Sequence, residues 1–232
     1  WAWIGCSLVG YPFIISDRSL RLNDEVLNMA NANLSPNRLI IEQFIRAVTQ
    51  NWLNSGEDEQ HFEVRCLGEH RTPNSRLFAP SQISDAIAFV VEMNNLKMNV
   101  YMTINPVKAM VHGNATDDDV ACAHLSFADA DDLIGLAGIK TMIGEHAPDF
   151  IVTTGSVPHE RQHAYWRLEA PCHDLELWKQ SQQNIARNLG TDPSVINPSR
   201  IMRVAGTVSY PSQSKVAKGY IPELVTFMSE VS

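Results

Sequence analysis

Nothing in these 232 residues looks like a membrane span: no apolar run approaches the ~18 residues that crossing a bilayer requires. The longest candidate, Trp1 to Ser16, is broken by Gly5, Ser7, Gly10 and Pro12, and it lacks the basic start of a signal peptide. It opens on Trp rather than Met, which fits a piece of a longer product. Cysteine is scarce. Cys6, Cys66, Cys122 and Cys172 are far apart, with no CxxC pair and no Cys/His zinc spacing, so buried free thiols and a cytoplasmic location are expected. Neither a GxxxxGK[ST] loop nor a GxGxxG turn occurs, so any bound phosphate is held by other means. Positive charge is also short: 18 Lys and Arg against 26 Asp and Glu, a net −8. That argues against gripping a long duplex and leaves room for a small local anion site. The remaining composition, 44% hydrophobic and 19% charged, is that of a globular protein.

Residues 1–60 read as a mostly helical N-terminal extension. Ser35-Pro36 precedes apolar Ile40, Ile41, Phe44, Ile45, Val48 and Trp52, the pattern of an amphipathic helix ending at Asn54-Ser55-Gly56. Trp1 to Ile15 suits a strand pair or a packing arm. Glu57-Asp58-Glu59 looks like a linker. From His61 strands and helices alternate. Strands are expected at 61–67, 100–104, 120–128, 150–154, 163–168 and 201–208, and helices at 81–96, 133–146 and from Asp174 to Gly190, with 74–80 a loop. That order predicts an α+β fold, a largely antiparallel sheet with helices on its faces.

Three segments carry candidate chemistry. In the first, an apolar strand runs into Asp129-Ala130-Asp131-Asp132. Strand side chains alternate, so Asp129 and Asp131 share a face, and two carboxylates that close ionise together comfortably only around a cation. Hard oxygens suit Mg²⁺ or Mn²⁺. A solvated acidic turn capping the next helix is the alternative. The nearby run Asp117-Asp118-Asp119 reads as a solvated loop or helix cap.

The second segment runs from Thr153 to Trp166. His159-Glu160-Arg161-Gln162-His163 matches HExxH, which on a helix would hold zinc for a hydrolase. Pro158 and the following Tyr165, Trp166 and Leu168 favour a hairpin instead, its loop presenting Ser156, Arg161 and His163. In the third, Asn197 to Tyr220 carries Arg200, Arg203, Lys215 and Lys218 with no acid, the one basic stretch of the chain. Arg200 and Arg203 could grip a polyphosphate.

Together and in this order, the three segments resemble the archaeo-eukaryotic primase–polymerase superfamily, in its plasmid and phage replication branch, over roughly residues 61–225. Phe127-Ala128-Asp129-Ala130-Asp131 resembles the family's strand ending in DxD. Thr154-Gly155-Ser156 and His163-Ala164-Tyr165-Trp166 resemble its turn and histidine strand, and Asp192, Ser199 to Thr207 and Lys215 its Arg-rich block. Ala205 stands where the family has proline, Ser209 where it has asparagine, and Asn197 where an acid is common, so Asp192 has to serve as third carboxylate.

The resemblance implies an RRM-like antiparallel sheet joined to a small α/β module over residues 61–232. It implies a mobile-element primase/polymerase making primers on single-stranded DNA from nucleoside triphosphates, beside a replicative helicase. Asp129, Asp131 and Asp192 would be catalytic and hold two Mg²⁺ or Mn²⁺ ions. Ser156, Arg161, His163, Arg200, Arg203 and Lys215 would bind the nucleotide. A non-catalytic nucleic-acid or nucleotide-binding module is the rival.

Overall fold

The computed structural model describes residues 34–52, 60–69, 71–111 and 113–229. Period-two segments supply two four-stranded sheets. One contains β1 (Phe62–Gly68), β2 (Arg71–Phe78), β3 (Asn99–Thr103) and β7 (Ile201–Arg203), in the order β2-β1-β3-β7. The other contains β4 (Ala123–Ala130), β5 (Phe150–Gly155), β6 (Arg161–Cys172) and β10 (Thr226–Ser229), in the order β10-β5-β6-β4. Every pairing is antiparallel, as is that of the short β8 (Val208–Ser209) with β9 (Glu223–Leu224). Helices α1 (Arg38–Thr49), α2 (Ile83–Asn95), α3 (Leu133–Lys140) and α4 (Leu175–Leu189) flank the sheets, and α5 (Gln213–Val216) is a single turn. This is the α+β arrangement of antiparallel sheets expected from the sequence. No described helix is long and apolar enough to cross a membrane.

One apolar core joins Val64, Val100 and Met102 of the first sheet to Leu125, Phe127 and Tyr165 of the second. Helix α1 lies within it. Phe44 meets Phe150, Tyr165 and Phe227 edge-on, with ring centroids 6.1–6.4 Å apart. Residues from Ser35 onward therefore belong to the same compact unit as the sheets. The expected strand pair or arm at 1–15 lies outside the described residues. The helix is capped by Asn37: its Oδ1 accepts the N–H groups of Leu39 and Ile40 at 3.1 and 3.2 Å. Asn37 N–H in turn reaches the Gly206 carbonyl at 2.7 Å. Gly206 sits at φ +81°, and a Cβ there would come within 2.7 Å of Asn37 O and Ile41 N. Glycine is required both by the turn and by the approach of α1.

Three segments depart from expectation. Residues 74–80 are mostly strand, not loop. Strand β2 is an edge whose residues 71–76 are all exposed, so it has no alternating pattern to read, and an edge tolerates Pro73. The 133–146 helix stops at Lys140, and Gly144 at φ +61° opens a separate turn. The 201–208 strand is divided by the left-handed turn at Gly206 into β7 and β8.

Strand β4 is an edge strand, and α4 covers it. Trp178 Nε1 donates to the Leu125 carbonyl at 3.1 Å. Gln182 both accepts from Phe127 N–H (3.2 Å) and donates to Phe127 O (2.9 Å), as a neighbouring strand would. This fixes the strand two residues before Asp129. Helix α3 packs on the end of α4 through Gly138, where a Cβ would overlap the Leu189 carbonyl oxygen. Gly138→Ala is expected to cost about 1–3 kcal/mol in urea unfolding, because two backbones must separate.

Candidate active site

The antiparallel register decides which side chains meet. Asp129 on β4 faces His163 on β6, and Tyr101 on β3 faces Arg203 on β7. A cleft of about 360 Å³ lies between these pairs. Asp129, Asp131, Thr154 and His163 line its acidic side, and Asn99, Tyr101, Arg200 and Arg203 its basic side. Lys215 and Tyr220, from the segment joining β8 to β9, complete the wall.

Asp129 is the centre of the electrostatics. Its Oδ1 is buried and has no hydrogen-bond partner among the described residues. Its carboxyl is pushed up to about 7, first by burial, then by the charges of Asp131 and Asp192; Arg200 and Lys215 oppose the shift. His163 Nε2 stands 3.6 Å from Asp129 Oδ1. That contact is no ion pair, because burial, then Arg203 and Arg200, push the imidazole down to about 3. The ring is neutral at physiological pH. Tyr165, fully buried and held protonated, places its hydroxyl 3.1 Å from Nδ1. With the Tyr165 O–H as donor in this contact, the ring proton sits on Nε2, facing the cleft.

Arg203 is fixed by residues the sequence did not single out. Asn99 Oδ1 accepts from it at 2.6 Å, Tyr101 Oη at 2.8 Å, and the Tyr101 ring lies 4.8 Å beneath the guanidinium. The signal was present: Asn99 and Tyr101 are i, i+2 on a strand. The Arg200 guanidinium has no hydrogen bond or ion pair among the described residues, and Lys215 meets only the Tyr220 ring, at 5.4 Å.

Other expected site residues are differently employed. Asp192 N–H donates to the Asp129 carbonyl at 3.0 Å, but its own Oδ1 accepts Ser194 N–H at 2.8 Å, and it does not line the cleft. Among the described residues no three His, Cys, Asp or Glu side chains are grouped to hold a metal. Ser156 gives both its N–H and its hydroxyl to Glu223 Oε1, at 2.7 and 2.6 Å. Arg161 reaches the cleft wall, yet its guanidinium is paired with Glu223 (3.1 Å), bonded to the Val157 and His159 carbonyls, and stacked on Tyr220 at 4.6 Å. Glu223 has no local motif; its partners lie over sixty residues away. The HExxH zinc site is not formed. Residues 156–160 are a loop, His163 is on a strand, and His159 Nε2 donates to the Asp131 carbonyl at 2.7 Å. No disulfide joins Cys66, Cys122 or Cys172, and burial pushes the Cys66 thiol up to about 12.

Asp129 and Asp131 could hold a hard divalent cation: positive charge would relieve the orphaned buried oxygen of Asp129 beside a second carboxylate, with the remaining ligands coming from outside the protein.

No family model matches the chain, and no curated protein matches it. Among the solved structures similar to it are two from replication enzymes. One is the AEP domain of the primase-polymerase of cyanophage S-2L, at TM-score 0.57 and 18% identity, over 84% of this chain and 91% of that one. The other is primase RepB′, at TM-score 0.52 and 15% identity, over 81% of this chain and 56% of that one. With its two antiparallel sheets and flanking helices, the chain has the archaeo-eukaryotic primase fold.

Proposed function

We propose that the chain is a primase–polymerase domain, a nucleotidyltransferase that builds primers on single-stranded DNA from nucleoside triphosphates with Mg²⁺ or Mn²⁺. One observation carries the reading: a buried carboxylate oxygen on Asp129 with no hydrogen-bond partner among the described residues shares a cleft with Arg200 and Lys215, two cations with no ion pair among those residues. A triphosphate with its divalent ion satisfies both halves.

Asp129 and Asp131 would hold the cation, whose charge would lower the barrier to deprotonating the primer hydroxyl and offset the negative charge of the leaving pyrophosphate. Arg200 and Lys215 bind phosphate oxygens by charge. Arg203, held between Asn99 and Tyr101, offers a fixed guanidinium edge. His163 donates its Nε2 proton to a phosphate oxygen as a neutral group, so it does so across the whole neutral range. Asp192 acts through charge, since it does not line the cleft and its charge is felt at Asp129. Ser156 and Arg161 shape the wall through Glu223 rather than touching nucleotide. With a net charge of −8, template binding is confined to a short strand, and with few phosphates contacted it weakens only modestly with salt. A setting in a mobile-element replication protein, with a helicase partner, rests on the family resemblance.

Titration calorimetry with a deoxynucleoside triphosphate and Mg²⁺ tests the pocket. Arg200→Ala is expected to weaken binding about tenfold or more, the size of one charge-assisted hydrogen bond. Arg46→Ala, at an exposed side chain of α1, is expected to leave it unchanged. Equal affinity for Arg200→Ala and the parent chain would sink the assignment. Asp192's bond to Ser194 favours one second reading, a nucleotide-binding module without catalysis. It predicts nucleotide binding without incorporation.

A further inference from the structure

The acidic run Asp117-Asp118-Asp119 has no part in the chemistry above, yet its loop is firmly held. Glu63, whose side chain is 2% exposed, accepts Ala115 N–H at 2.9 Å. Arg65 grips Glu63 through two hydrogen bonds, at 2.7 and 2.6 Å, and reaches the Ala115 carbonyl at 3.4 Å. The 3₁₀ turn Asp117–Asp119 follows at once. It is closed by Asp119, whose Oδ2 accepts both the N–H and the hydroxyl of Thr116 at 2.8 Å.

This framework places Asp117 in a second groove that shares Tyr101, Arg200 and Ile201 with the cleft. There Asp117 Oδ1 accepts two hydrogen bonds from Ser199, from the hydroxyl at 2.6 Å and the N–H at 3.2 Å. Ser199 directly precedes Arg200. Arg200 N–H donates to the Asn197 carbonyl (3.1 Å), and its carbonyl accepts from Ile104 N–H (3.3 Å). The backbone on both sides of the Arg200 Cα is therefore pinned. Its guanidinium makes no ion pair with Asp117 or any other described residue, so the cation stays available to a ligand.

We propose that Asp117 is a positioning residue for nucleotide binding, holding Ser199 so that Arg200 is presented to the cleft. The proposal rests on the nucleotide-binding reading of that cleft. Binding an anion orders both the backbone and the side chain of an arginine, and with the backbone already pinned only the side-chain part remains. An ionised acceptor suits the task, because hydrogen bonds to carboxylates are stronger than neutral ones.

The test combines Asp117→Ala, Asp117→Asn, Ser199→Ala and Arg200→Ala. Affinity for a deoxynucleoside triphosphate with Mg²⁺ is measured by calorimetry, and order at Arg200 by the ¹⁵Nε–Hε resonance of the ligand-free protein. Asp117→Ala is expected to weaken binding about tenfold. It should add nothing once Arg200 is already alanine, since the effect passes through that side chain. Asp117→Asn keeps the Oδ1 acceptor without its charge and should lose clearly less affinity than Asp117→Ala; Ser199→Ala should lose part of the affinity. The Arg200 resonance should lose order in Asp117→Ala. The proposal is overturned by equal losses with and without Arg200, by an asparagine variant as weak as alanine, or by an unchanged Arg200 resonance. If the parent chain binds no triphosphate, the nucleotide reading falls and the Arg200 resonance still decides whether Asp117 orders that side chain.

Discussion

Asp129→Asn is expected to lower metal-dependent nucleotide incorporation about a thousandfold or more, while the metal-free protein stays folded. The loss follows from removing a cation ligand at the point where charge develops. The retained fold follows from isostery, because the amide fills the same space and is neutral in a buried position. Stability against pH separates this account from a general weakening. The Asp129 carboxyl is raised from 3.8 to about 7, so between those values the folded chain keeps a proton that the unfolded chain has lost. Its contribution is full below pH 4 and is lost as pH rises through 7. His163, lowered from 6.5 to about 3, runs the other way: its contribution is present above pH 6.5 and is lost as pH falls through 3. The two offset between pH 4 and 6.5. Urea unfolding in a chelator should therefore show parent stability minus Asp129→Asn stability falling as pH rises from about 4 to 7. A difference that stays constant would contradict the burial argument.

Glu223→Ala should have the largest effect on folding, about 3–5 kcal/mol, a large part of the 5–15 kcal/mol typical of a domain. Glu223 and Arg161 pair at 3.1 Å with side chains 13% and 7% exposed. Burial alone would raise the Glu223 carboxyl. Hydrogen bonds from Ser156 and Val157 and the Arg161 charge outweigh it and hold the group below its ordinary value. Removing the carboxylate leaves a buried guanidinium without its anion and frees Ser156 and Val157, which anchor the loop beside Tyr220. Gly155 belongs to the same arrangement: a Cβ there would occupy the Arg161 guanidinium's place. Thermal unfolding of Glu223→Ala, Arg161→Ala and the double variant checks this. Each single loss should be large, and the double should fall well short of their sum. Additive losses, or a Glu223→Ala loss under 1 kcal/mol, would show that the pair is not coupled.

What the sequence made legible follows the reach of its signals. Strand periodicity places Asp129 and Asp131 on one face, and the structure puts both on the same cleft wall. Asp174 and Gly190 mark the ends of α4 because caps are local chemistry. Strand β2 was hidden because an exposed edge has no apolar face. The helix at 38–49 was visible but was assigned to an extension, since Glu57-Asp58-Glu59 resembles a linker and the packing of Phe44 against Phe150 is not visible in sequence. The resemblance implies Ser156 and Arg161 as nucleotide ligands; their engagement by Glu223, over sixty residues away, leaves no local signal in the sequence. Asp192 had a local warning: an aspartate two residues before Ser194, across a proline, invites the side-chain turn that now engages it. The Asp117 contact to Ser199 spans 82 positions and leaves no trace in the sequence.

Primer synthesis is the most direct test of the central claim. The chain is incubated with a single-stranded DNA oligonucleotide, labelled nucleoside triphosphates and either Mg²⁺ or Mn²⁺, beside Asp129→Asn and Asp131→Asn. The account predicts labelled products that require the cation and vanish in both variants, with nucleotide binding to the Arg200 side retained in part. A parent chain that binds cation and nucleotide yet incorporates no label under either metal would contradict it and establish the cleft as a binding module.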